Sequence, residues 1–111
     1  MVIKRKGMIM MIDGRFDIVM DSPMGPKKGQ VIFQVDNNSL SGYLDILGFC
    51  NIIENGSVTG DRFTFSGDMK TAVDVVGYVI QGSVEGDILT AVSKTKKGNM
   101  TILGNRFIEQ E

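Results

Sequence analysis

Histidine and tryptophan are absent from this chain, cysteine occurs once and proline twice. Without histidine there is no imidazole base for a serine or cysteine nucleophile and no histidine metal site. The single thiol, Cys50, cannot close an intrachain disulfide. That usage fits a reducing, cytoplasmic setting, and the residue is expected as a small buried apolar side chain. No run approaches the ~20 consecutive apolar residues of a membrane-spanning helix. A marked excess of either charge is absent too. Twelve basic and thirteen acidic residues leave a formal net charge of −1, so no broad field favours nucleic acid or an anionic membrane. The short basic runs Lys4-Arg5-Lys6 and Lys94-Thr95-Lys96-Lys97 read as a solvated tail and a solvated loop. No cluster has the spacing of a metal site, and no cofactor is expected.

What the chain does have is glycine, 14 of its 111 residues, and two stretches that echo each other. Gly56-Ser57-Val58-Thr59-Gly60-Asp61 returns as Gly82-Ser83-Val84-Glu85-Gly86-Asp87. Each reads as a tight β-hairpin with Gly-Asp at its tip, glycine supplying the positive φ of a II′ turn. Gly14 to Asp21 alternates, with Phe16, Ile18 and Met20 on one face. Ser22 to Gly29 holds both prolines and is expected to break that strand into a loop. Val31, Phe33 and Val35 share a face on the second strand. Asn37-Asn38 suits a I′ turn into a third strand, carrying Leu40, Gly42, Leu44 and Ile46. Phe49 to Glu54 forms a fourth strand, with a bulge expected at Asn55-Gly56. Strands follow from Arg62 to about Ser66, Ala72 to Glu85, Ile88 to Lys94 and Met100 to Phe107, with a loop over Gly67 to Thr71.

The hairpins support one another. Two-residue loops pair Val35 with Leu40, Val58 with Phe63 and Val84 with Leu89, apolar on both sides as a shared core face requires. One step further in, Phe33 falls opposite Gly42, Gly56 opposite Phe65 and Gly82 opposite Ala91. Rings over glycines let a curved sheet fill its interior. Eight consecutive strands with short links, and no helical period, give an all-β fold: an eight-stranded antiparallel up-and-down meander closed into a barrel. A two-sheet β-sandwich is the alternative. Residues 14–108 would form this single domain, after a lead-in segment over 1–13 and before a tail over 109–111. The basic and apolar start imitates a signal peptide, but its apolar run is short and no cleavage-type site follows.

Gly14-Arg15-Phe16 opening the first strand and Gly104-Asn105-Arg106 closing the last resemble the calycin-like barrels: lipocalins, fatty-acid-binding proteins and avidins. With the Ser22-Pro23-Met24-Gly25, Leu40-Ser41-Gly42 and Gly-Asp turn motifs, the stretch from Gly14 to Phe107 looks like small bacterial barrel proteins of unassigned function. The resemblance implies a streptavidin-like meander in which Phe16 takes the place of the lipocalin tryptophan and Arg106 packs across it. The biotin-binding residues of avidins have no counterpart here.

A non-enzymatic binding module for a small apolar ligand is therefore expected. Its candidate residues in the barrel interior and mouth are Phe16, Phe33, Phe65, Asp74, Tyr78, Ser93 and Arg106, with Tyr78 the best polar handle. Pro23, Met24 and Gly25 are candidates for a lid. Val73, Val75 and Val79 lie opposite Tyr78 and Ile80 in strand parity, and a homo-oligomer face is expected there. A solid-core interaction or self-assembly module is the alternative. A small barrel enzyme acting on a lipophilic substrate is the weaker one, since no nucleophile stands beside a base.

Overall fold

The computed structural model describes residues 12–70 and 73–107, and every regular element in them is a β-strand. The strands are β1 (Gly14–Ser22), β2 (Gly25–Asp36), β3 (Ser39–Ile46), β4 (Phe49–Ile52), β5 (Glu54–Thr59), β6 (Arg62–Lys70), β7 (Val75–Glu85), β8 (Ile88–Thr95) and β9 (Gly98–Arg106). Apart from β4 and β5, which do not pair with each other, strands that follow one another in the chain pair antiparallel. β9 returns to β1, placing Arg106 opposite Phe16. The result is a closed eight-stranded up-and-down barrel with one extra strand, not a sandwich. The extra strand arises because the fourth stave is split into β4 and β5, both paired with β3. Most of the expected lead-in, the strand start at Ala72 and the tail over 109–111 lie outside the described residues.

The three hairpin registers are those that alternation requires: Val35↔Leu40, Val58↔Phe63 and Val84↔Leu89. Gly60 and Gly86 have φ of 62° and 61° while the aspartates after them stay negative, the φ pattern of a II′ turn. Asn37 has φ 60° but Asn38 does not follow it, so this tip also has the II′ pattern and not the expected I′. These tips also tie the staves together. The carbonyls of Asn38, Asp61 and Asp87 accept from the N–H groups of Val58, Val84 and Arg106 at 2.9, 2.9 and 2.8 Å. Gly104-Asn105-Arg106 thus acts as a third copy of the Gly-Ser-Val step.

Two expectations about loops need correction. The strand that follows Ser22 is broken only at Pro23-Met24, and β2 then runs unbroken from Gly25 through Pro26. Pro26 is tolerated because it pairs next to the turn, opposite Asp21, where the ladder does not need its N–H, and β3 does not reach beyond Gly29. Gly67 to Lys70 is strand too, paired with Val75 to Tyr78; β7 accordingly starts at Val75, leaving Val73 and Asp74 in the link. The bulge expected at Asn55-Gly56 is present: between Glu54↔Ser66 and Ser57↔Thr64 the two residues Asn55, at φ 53°, and Gly56 face the single Phe65, while on its other side Gly56 pairs with Leu40. That bulge changes the inward parity from Ile53 to Val58.

The large inward residues of the alternation, among them Phe16, Ile18, Phe33, Leu44, Phe65, Tyr78, Ile80 and Leu89, are buried, and Val35 is partly so. The aromatic rings form a file along the barrel axis. Phe33 stands 6.0 Å from Phe16, 5.0 Å from Phe63 and 5.7 Å from Phe65, and Phe65 meets Tyr78 edge-on at 6.2 Å. Between these rings and Ile18, Leu44, Ile80 and Ile102 only about 10 Å³ remains, room for one water at most. Side chains fill the middle of this barrel, as eight strands permit.

Candidate functional site

The two ends of the barrel differ. At the end of the Asn37, Gly60 and Gly86 turns, Arg106 acts as a plug. Its guanidinium lies 4.7 Å from the Phe16 ring centroid. It donates to the Asp87 carboxylate at 3.0 Å, the Asp13 carbonyl at 2.8 Å and the Gly86 carbonyl at 3.3 Å. Asp13 in turn accepts the Val35 N–H at 2.8 Å. This end is a latch of a cation over a ring, with the hydrogen-bond fork of arginine used on three different partners.

At the opposite end the file of rings stops at Tyr78, and above it lies a recess of about 350 Å³. Met20, Met69, Val76, Ser93 and Met100 form its walls, with Pro23, Met24 and Lys27 at the rim. All four methionines among the described residues line this one recess. Three arrive by strand parity: Met20 follows Phe16 and Ile18, Met69 follows Phe65, and Met100 precedes Ile102; Met24 comes from the turn between β1 and β2. Unbranched thioether side chains adapt their shape to what they contact and are common at binding surfaces.

Tyr78 is the polar centre of this end. It is 3% exposed, and its hydroxyl has no hydrogen-bond partner among the described residues. The ring crosses Gly67 on β6, so closely that a Cβ there would come within 2.6 Å of the hydroxyl oxygen. Glycine at position 67 is therefore what lets the ring lie flat. Burial, reinforced by the charges of Glu54 and Asp68, pushes the phenol up to about 12. Tyr78 thus stays protonated and can donate. Ser93, 1% exposed, adds a second hydroxyl from β8.

The candidates named from sequence are divided by this geometry. Tyr78 and Ser93 share the recess, and Pro23 and Met24 overhang it while Gly25 does not line it. Their segment is a tight turn, not the wide loop expected: Ser22 Oγ accepts the Met24 N–H at 3.2 Å and donates to the Gly25 carbonyl at 2.6 Å. Phe16, Phe33 and Phe65 belong to the packed core, and Arg106 to the far end. Asp74 sits on the rim outside the recess. The Val75 N–H at 2.7 Å, then Lys97 at 3.7 Å and Lys96, hold its carboxyl below the usual range.

Val73, Val75 and Val79 are exposed, at 92%, 52% and 42%. They do not form one apolar face. Val73 is off the strand, Val75 lies beside Lys70, and Val79 lies between Ser66 and Lys94. Cys50 is exposed, because the inward residue of β4 is Asn51. Sequence reasoning missed Asn51, whose amide donates to the Leu44 and Phe49 carbonyls at 3.3 Å each. It also missed Met69, Met100 and Lys27, although their alternation with core residues was the available signal.

No protein-family model, no curated protein and no solved structure matches this chain.

Proposed function

We propose that this barrel binds a small, mostly apolar molecule in the recess at its mouth, with Tyr78 donating a hydrogen bond to an oxygen acceptor on that molecule. One observation carries the reading: Tyr78, whose buried hydroxyl has no partner among the described residues, belongs to the lining of a methionine-walled recess. Leaving such a group unpaired costs about 1–3 kcal/mol, which a bound acceptor would offset. The reading keeps the expectation of an apolar ligand held by a meander barrel, but moves it from the packed centre to the open end.

The test sets stability against binding. Tyr78→Phe removes the unpaired hydroxyl and is expected to stabilise the empty protein by about 1 kcal/mol. The same change should weaken capture of the ligand, read by native mass spectrometry of protein from its own source. Tyr78 also gives a pH signature. Its folded pKa lies above the unfolded value near 10, so the folded state holds the proton longer. The stability it contributes is complete below pH 10 and is lost as pH rises towards 12. Denaturant titrations should show that part of the alkaline decline missing in Tyr78→Phe. An unchanged stability and an unchanged ligand load would refute the assignment.

A second reading, self-association, is favoured by a different observation. Ile32, Tyr43 and Ile52 stand in register across the outside of β2, β3 and β4, exposed at 43%, 48% and 67%. A polar row is the ordinary finding on a solvated sheet face. Ile52→Lys is expected to shift a dimer to monomer in sedimentation at micromolar concentration. A wild-type protein already monomeric there would remove this reading.

A further inference from the structure

The charges of the barrel are sorted by end. All six lysines among the described residues (27, 28, 70, 94, 96 and 97) lie in the half that holds the recess, against four aspartates and Glu54. The latched half holds all three described arginines, against six acids. The lysines are thus gathered around the mouth, and the excess of acids lies at the latched end.

One of these lysines differs from the others. Lys27 is on β2 in the parity of Val31 and Phe33, and it pairs across the ladder with the buried Met20. Its side chain is on the inner side, half-buried, in the wall of the recess. It makes no ion pair among the described residues, whereas Lys97, also at the rim, is bridged to Asp74. An ammonium placed on the inner face of an apolar recess, with no carboxylate beside it, is matched by an anion brought from outside.

Resting on the binding reading given above, we infer that the ligand is a small amphiphilic acid. Its apolar body lies among Met20, Met69, Val76 and Met100, and its anionic group sits at the rim against Lys27. The recess, near the lower end of the ~300–1,000 Å³ range of small-molecule sites, suits a short chain or a single ring system. Tyr78 and Ser93 on the floor add selection for an oxygen on the buried part.

The probes are decanoate, decanol and decylamine, titrated calorimetrically into the full chain. Decanoate is expected to bind roughly tenfold or more tightly than decanol, and decylamine most weakly. Lys27→Gln should bring decanoate down to the level of decanol and leave decanol unchanged. Lys28→Gln removes the same charge from the outer face of the same strand and should change decanoate binding much less. Equal affinity for decanoate and decanol would overturn the inference while leaving the recess a binding site, as would equal effects of the two lysine variants. If no probe binds, or if Val76→Trp, which fills the recess, leaves binding intact, the site reading itself fails and the inference with it.

Discussion

Phe33→Ala is expected to cost about 3–5 kcal/mol, the range for deleting a fully buried ring. The residue is 3% exposed and its ring is within 6.0 Å of three other phenylalanines. Neighbours on rigid, closed ladders relax little, so the loss should stand at the upper part of that range. At roughly 4–8 °C per kcal/mol, calorimetry should find the melting temperature lowered by about 15–25 °C. The void would open next to a middle that now has about 10 Å³ free. A double-mutant cycle with Phe63→Leu should give a coupling of about 0.5–1.5 kcal/mol, since those two rings are 5.0 Å apart. A loss below 1 kcal/mol for Phe33→Ala would mean that the middle is not packed as described.

Arg106→Met should cost about 2–4 kcal/mol by removing the latch. Methionine keeps most of the apolar stem over Phe16 and loses all the donors. The two carbonyl acceptors, on Asp13 and Gly86, are then left without this partner. The Asp87 arm contributes least, because that carboxylate is 57% exposed. Arg106→Lys should recover about half the loss, since a single ammonium cannot reach three partners in fork geometry. The effect should also be local. In hydrogen exchange, the Val35 N–H bound to Asp13 and the Phe107 N–H bound to the Arg15 carbonyl should lose protection. Amides around Ser93, at the other end, should keep theirs. Uniform loss of protection would show that Arg106 holds the whole barrel and not one end.

The fold was legible in the sequence where period-two alternation meets a turn of known length. Val84-Glu85-Gly86-Asp87-Ile88-Leu89 allows one register only, because a slip by one residue would turn Val84 and Leu89 to solvent. Phe16 and Arg106 follow from closing the meander. Reading failed where local rules and long-range pairing disagree. Pro26 and Gly67 look like breakers, yet each sits where the ladder makes no demand that it cannot meet. Asn51 looks like a surface residue, yet it takes the inward place on β4 and satisfies its amide on carbonyls.

The sequence by itself determined the meander of alternating staves and the registers of the three matched hairpins, because side-chain parity and two-residue turns are local properties of the chain. Only the tertiary structure decided that Met20, Met69 and Met100 share one recess with Tyr78 and an inward Lys27, while Arg106 closes the far end. Those residues come from strands far apart in the chain. Their common height depends on how the staves are staggered around the closed barrel, which no local pattern encodes.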